Sequence, residues 1–243
     1  MAVSCCENSQ SQPLILGFDH DLPGTIIGVS GTMGSGKSTF VRILTGQTEG
    51  LSLEGQSFIH FHHRLLLAHA RGQFGLDLTG QIRIIPSYTD RPPRGDEING
   101  EYVHLSTTEF LARTKEGFFS WWVRVGPCHY GTSQADIISV LEQGLLGVMN
   151  ITPDTVIEHI EPSWFNERGK FRALYVNSNH RALWMAVRGG LSEEEIKLRE
   201  ERNCRWDELV KESQGVAFCH INNNKVGDLK DPVLDLVSFL GRI

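Results

Sequence analysis

The chain has 243 residues, enough for one α/β domain with subdomains and a sizeable buried core. With 40% hydrophobic and 21% charged residues it has the composition of a globular protein, and a net charge of −6 argues against a general nucleic-acid binder, which carries a basic surface. No apolar run approaches about 18 residues, so neither a transmembrane helix nor a membrane partner is expected.

Residues 1–24 lack the basic start and long apolar segment of a secretory signal and read as a polar tail. Cys5, Cys6, Cys128, Cys204 and Cys219 are scattered and odd in number, which suggests no disulfide framework and no zinc site. The expected setting is the reducing cytoplasm. Cys5 and Cys6 fall in the tail, with lipidation or metal binding as the readings left open.

Thr25 to Ser30 is a β-rich apolar run ending at a glycine cluster, the pattern of a buried parallel strand. A helix is expected from Lys37 to about Leu44. The stretch from Gly46 to Gln81, with apolar positions from Phe58 to Leu67, reads as mostly helical and ending near Gly72. Ile82 to Ile85 should be a strand, and Ser87 to Gly100 a loop rich in Pro, Gly and Arg. Ser106 and Glu109 have capping-box spacing, predicting a short helix. Phe118 to Val125 and Gly144 to Ile151 read as strands, with a helix from Ser133 to Gln143 between them. Thr152 and Pro153 suit an N-cap followed by proline at the first helical position, and Pro162 should stop that helix. Phe171 to Val176 is a further strand. Ser192 and Glu195 form a second capping box, opening a charged helix to about Lys211. Val216 to Ile221 is the last strand, and Asp231-Pro232 opens a closing helix. This alternation predicts an α/β fold with a parallel sheet covered by helices on both faces.

Gly31, Thr32, Met33, Gly34, Ser35, Gly36, Lys37 and Ser38 fit the phosphate-loop pattern G-x-x-x-x-G-K-[ST], between a predicted strand and a predicted helix. Glycines let backbone N–H groups turn inward around phosphates, and the helix N-terminus adds a favourable dipole. Residues 31–39, Thr39 included, are therefore the expected ATP site, with Lys37 on the β- and γ-phosphates and Ser38 as a Mg²⁺ ligand. A P-loop NTPase fold follows. Downstream, Arg91 and Arg94 lie on a loop that proline and glycine make rigid. Guanidinium forks suit phosphate oxygens, so the loop is a candidate site for a phosphorylated acceptor.

From about Thr25 to the C-terminus the chain resembles the guanylate kinase family. The resemblance rests on the P-loop, on Ser87, Arg91-Pro-Pro-Arg94, Glu97, Gly100 and Tyr102, on Tyr130-Gly-Thr132, and on Arg188-Gly with Glu194 to Arg199. It implies an acceptor-binding subdomain at residues 82–143 and a helical lid at 184–205, within one domain spanning 25–243. It also implies that Arg91, Arg94, Tyr102 and Tyr130 hold the acceptor phosphate, that Ser87 and Thr132 face a base, and that Arg188 and Arg199 close over ATP. With Lys37 and Arg91, these two arginines form the implied catalytic set. The chain departs from the family where Ser120 stands before Trp121 in place of a Glu that pairs with guanine. Asn150-Ile-Thr152 replaces an Asp-x-Asp, and Trp184 occupies the place of a lid arginine. Residues 49–81 are an insertion, expected near the acceptor subdomain. Ser120-Trp121 and Asn150 are also similar to the related ribose 1,5-bisphosphate phosphokinase family, whose acceptor has no base.

Other features are read more plainly. His60, His62 and His63 lack convincing ligand spacing and read as surface or core histidines. Trp121 and Trp122 read as core packing rather than as a base-stacking platform. Asn222 to Asn224 fit either a simple turn or an adenine-proximal site. The implied activity is transfer of the γ-phosphoryl group of ATP to a nucleoside monophosphate, GMP or a relative. A phosphorylated sugar acceptor and a non-catalytic binding module are the alternatives, and the intact Lys37 and Ser38 weigh against the last.

Overall fold

The structure is a computed structural model describing residues 24–95, 97–160, 170–187, 191–213, 218–224 and 229–241. Its strands are β1 (Thr25–Gly31), β2 (Ile82–Ile84), β3 (Ser87–Thr89), β4 (Tyr102–His104), β5 (Phe119–Val125), β6 (Cys128–Ser133), β7 (Leu146–Asn150), β8 (Lys170–Asn177) and β9 (Phe218–Asn222). Its helices are α1 (Lys37–Thr45), α2 (Leu53–Phe74), α3 (Thr107–Lys115), α4 (Gln134–Glu142), α5 (Pro153–His159), α6 (Arg181–Val187), α7 (Glu193–Glu212) and α8 (Lys230–Leu240).

Five strands form a parallel sheet in the order β2-β7-β1-β8-β9. Strand alternation sends their side chains to two cores. Ile27, Val29, Val148, Leu174 and Val176 face α1, α2 and α8, where Phe40, Ile43, Leu66 and Leu236 are buried. Ile26, Met149 and Ala173 face α4 and α5, represented by Ile137, Leu141 and Val156. β1 therefore has no wet face, and all seven of its residues are buried. The expected parallel sheet, covered on both faces, is what the chain builds.

A second, mixed sheet runs β4-β3-β6-β5, with β3 and β4 parallel and β6 antiparallel to both β3 and β5. β3 lies where loop was expected and β4 where no element was expected, because both are three residues long and too short to display alternation. β6 (CHYGTS) was likewise not expected, since its apolar content is low. The seven-residue α6 was also missed. Both capping boxes form as read, Ser106 with Glu109 on α3 and Ser192 with Glu195 on α7. Pro162, and the start proposed at Val216 for the last strand, lie outside the described residues.

The helix of the inserted segment ends two residues beyond Gly72, capped by Gly75 in the left-handed region at φ 68°. It packs along α1 and α8, with His63 Nδ1 2.7 Å from the Ile43 carbonyl, and shares a core cluster with Ile98. Of its residues only Phe58 reaches the cavity described below. Trp122 also departs from expectation. It is 42% exposed on the outer face of β5, whereas Trp121, one position away, belongs to the core.

Candidate functional site

The P-loop leaves β1 through Gly31, whose φ of 141° only glycine adopts comfortably. A Cβ there would sit 2.0 Å from the Val176 carbonyl oxygen of β8, so the chain at this point has no room for a side chain. Gly34 and Gly36 also have positive φ, and Gly36 caps α1. Lys37 Nζ donates to the carbonyls of Gly31 (3.0 Å) and Thr32 (2.8 Å), which folds the ammonium back over the loop.

Three asparagines hold the loop from outside. Asn203 on α7, fully buried, accepts from Met33 N–H at 2.7 Å and donates to the Met33 carbonyl at 3.1 Å. Asn223, after β9, donates to the Ser35 carbonyl at 2.9 Å. Asn177, at the end of β8, accepts from the Thr32 hydroxyl at 3.3 Å. Beneath them, Arg181 donates to Asp207 (2.6 Å) and Glu200 (2.9 Å), and Tyr175 donates to Asp207 at 2.6 Å. Burial first, then the Asp207 carboxylate, push the Tyr175 phenol well above its ordinary range.

The mixed sheet supplies the other half of the site. Its register aligns Tyr102, Ser87, Thr132 and Trp121 in one row across four strands, and His104, Thr89, Tyr130 and Val123 in the next. Directly paired residues share a face, so these two rows make one surface. The opposite face carries Tyr88, Trp122 and Phe119; Phe119 and Trp122 meet Phe110 of α3, and Tyr88 meets Phe119.

Arg91 is buried and ion-paired to Glu97, with its guanidinium 4.9 Å from the centre of the Tyr102 ring. Glu97 also accepts from the Arg94 backbone N–H (3.1 Å) and contacts His104 Nε2 at 2.7 Å. His104 Nδ1 lies 2.7 Å from the Arg91 carbonyl. The His104 ring thus bridges the Glu97 carboxylate and the Arg91 carbonyl. Burial works against the Glu97 carboxylate, but the bonds from His104 and Arg91 outweigh it and hold its pKa below the usual range. Burial likewise opposes the Arg91 cation and is outweighed by Glu97, so Arg91 is held charged more firmly than an ordinary arginine. Burial raises the phenols of Tyr102 and Tyr130, keeping both as neutral donors.

P-loop and mixed sheet open onto a single cavity of about 980 Å³. Met33, Gly34, Gly36, Lys37, Ser38 and Thr39 line one end, and Ser87, Arg91, Arg94, Tyr102, Tyr130 and Thr132 line the other. Arg199 also lines it, with Arg202 and Trp206 of α7 and Trp184 of α6. Gly31, Thr32 and Ser35 do not; they form the back of the loop. Arg188 lies outside the described residues.

Ser120 is the correction among the site residues. A bulge between Phe119 and Trp121 takes it out of the alternation, and its Oγ is buried without a hydrogen-bond partner. The residue that lines the cavity from this strand is Trp121. Asn150 does reach the cavity, donating to Glu101 Oε1 at 2.8 Å. Sequence reasoning missed Glu101, Asn203 and Trp206. Asn203 and Trp206 sit in a helix whose charge masks their inward face. The signal for Glu101 was its place beside Tyr102.

Among the described residues no group of three His, Cys, Asp or Glu side chains could hold a metal, and no helix is long and apolar enough to cross a membrane. The donor set instead suits a Mg²⁺ that arrives with a nucleotide, since such an ion keeps waters and phosphate oxygens and needs one or two protein oxygens. The Ser38 hydroxyl beside Lys37 is placed to be one.

Comparison with known proteins finds relatives named guanylate kinase. Guanylate kinase from Rubrobacter xylanophilus is 28% identical over 197 residues, covering 74% of this chain and 84% of that protein. These relatives support a guanylate kinase-like P-loop family member. Stronger identity is confined to a shorter stretch. Guanylate kinase from Wolinella succinogenes is 42% identical over 66 residues, and the chain spans only 31% of that relative. No family model matches the chain. A crystal structure of guanylate kinase from Anaplasma phagocytophilum aligns over 91% of this chain and 84% of its own at 14% identity and a TM-score of 0.47, too distant to add to the topology above.

Proposed function

We propose that the protein is an ATP-dependent phosphotransferase that converts a nucleoside monophosphate, GMP or a close relative, to the diphosphate. The observation that carries this reading is the single cavity with a phosphate loop at one end and the Arg91, Arg94, Tyr102 and Tyr130 set at the other. Relatives named guanylate kinase support it.

In this reading the P-loop N–H groups and Lys37 bind the β- and γ-phosphates. Mg²⁺ held with the nucleotide at Ser38 supplies charge neutralisation on the phosphates. Arg91, Arg94 and the two tyrosines hold the acceptor phosphate so that one of its oxygens lies in line with Pγ. The new bond forms between that oxygen and Pγ, the bond from Pγ to the bridging oxygen of Pβ breaks, and ADP leaves. Arg199, and Arg188 with it, shield the developing charge and exclude water.

The test is ADP release from ATP and Mg²⁺ with a panel of nucleoside monophosphates and phosphorylated sugars, and with no acceptor. Turnover that needs a monophosphate supports the reading. ATP binding with no turnover on any acceptor would leave a binding module instead. Turnover of a ribose phosphate alone would favour a sugar acceptor, a reading for which Asn150 in place of an aspartate speaks.

A further inference from the structure

Resting on that phosphotransferase reading, we infer that Trp121 is the specificity-determining residue of the acceptor site. Its indole is the wall against which the acceptor's non-phosphate part packs, so a planar base is read there by shape and not by paired carboxylates.

The register is the first support. Tyr102, Ser87, Thr132 and Trp121 are direct cross-strand neighbours on one face, and all four line the cavity. The first belongs to the phosphate-holding set and the next two carry hydroxyls, so the row runs from phosphate contact to indole. The bulge fixes this arrangement. Without it Ser120 would pair opposite Thr132 and Trp121 would turn to the outer face, where Trp122 is now. Trp121 is also immobilised, 9% exposed and packed with core residues that include Met149, Ile151 and Val156. It presents a fixed surface at little entropic cost.

The second support is the state of the cavity's carboxylates. Among the described residues only Glu97 and Glu101 line it. Glu97 is engaged by Arg91 and His104, and Glu101 by the Asn150 amide and the Ile98 N–H. The groups beside Trp121 are thus the neutral hydroxyls of Ser87 and Thr132, which both donate and accept. Such a site has no preference for a base rich in donors over one rich in acceptors. It does have a preference for a flat ring, since a nucleobase packed on an aromatic side chain gains contact whatever its edge pattern.

The experiment compares kcat and KM for GMP, IMP, AMP and ribose 5-phosphate in wild type, Trp121→Phe, Trp121→Ala and Ser120→Ala, with melting temperature as a check on folding. Wild type should use the three purine nucleotides with kcat/KM values of the same order, and ribose 5-phosphate far less well. Trp121→Ala should raise KM for every nucleotide acceptor about tenfold, the loss of one base–aromatic contact. KM for ATP should not change. Trp121→Phe, which keeps a ring and the fold, should retain most acceptor affinity, and Ser120→Ala should alter neither selectivity nor KM. The inference is overturned if Trp121→Phe and Trp121→Ala fold and leave acceptor KM unchanged, if Ser120→Ala shifts selectivity, or if wild type strongly prefers GMP. Preferred turnover of ribose 5-phosphate overturns it while phosphoryl transfer stands. Absence of any ATP-dependent transfer removes the phosphotransferase reading and this inference with it.

Discussion

Asn203 offers a direct test of how the donor loop is held. Its side chain accepts from Met33 N–H at 2.7 Å and donates to the Met33 carbonyl and to Glu200 at 3.1 Å each, from a fully buried position. Asn203→Ala removes all three bonds. At a net 0.5–1.5 kcal/mol per bond the loss would be about 1.5–4.5 kcal/mol. Met33 borders the cavity, so water reclaims part of its peptide, and we expect about 2 kcal/mol. For a domain of this size that lowers the melting temperature by roughly 4–8 °C. Because the freed peptide belongs to the nucleotide end, KM for ATP should rise up to about tenfold with acceptor KM unchanged. Calorimetric melting and initial-rate kinetics measure the two effects. Asn203→Asp should do no better, since it loses the same donation and sets a carboxylate beside Glu200. A folded Asn203→Ala protein with unaltered melting temperature and KM would refute the argument that α7 braces the loop.

Lys37→Ala should abolish ATP-dependent transfer with little change in melting temperature, because the side chain donates to the Gly31 and Thr32 carbonyls of its own loop and belongs to neither hydrophobic core. Turnover near wild type would contradict the P-loop assignment. Arg91→Ala should reduce kcat/KM for the acceptor by about 10- to 100-fold, the loss of charge-assisted bonds to phosphate, with a smaller effect on ATP affinity in equilibrium binding. Gly31→Ala should fail to yield soluble protein, since the new Cβ would lie 2.0 Å from the Val176 oxygen; a folded, active variant would disprove the close packing of β1 on β8. The carboxylates of Glu97 and Asp90 are both held below their ordinary values of 4.5 and 3.8, Glu97 by His104 and Arg91 and Asp90 by His129, against the opposing effect of burial. Depressed values stabilise the fold fully above the unfolded-state pKa and cease to do so as pH falls through the folded one. Acid melts should therefore show stability flat near neutrality and falling below about pH 4, and Glu97→Gln should flatten that fall.

The central sheet was legible because its signals are strong and local. β1, β7 and β8 are continuous apolar runs, and the capping boxes and Gly31 to Ser38 carry their geometry in the spacing. The acceptor half was legible as chemistry before it was legible as structure. Arg91, Arg94, Tyr102, Tyr130 and Thr132, singled out from the sequence, line one cavity, while the three-residue strands beside them left no periodic trace. Ser120 failed for a related reason. A one-residue bulge changes which side chain of β5 faces inward, and composition does not record it. Asn203 was hidden because a buried polar residue inside a charged helix looks like part of the solvated face until its partner, a loop 170 positions away, is in place.

The bond between Asn150 and Glu101 joins the two sheets at the wall of the cavity. Asn150 ends β7 of the parallel sheet, and the Glu101 backbone adjoins β3 of the mixed one through Ser87 N–H at 2.8 Å. Replacing Asn150 by Asp would put two carboxylates 2.8 Å apart where an amide donor now stands, a repulsion that only protonation or loss of Glu101 relieves. Asn150→Asp alone therefore carries an electrostatic penalty that the amide avoids, and the joint between the two sheets depends on a donor at this strand end facing the carboxylate.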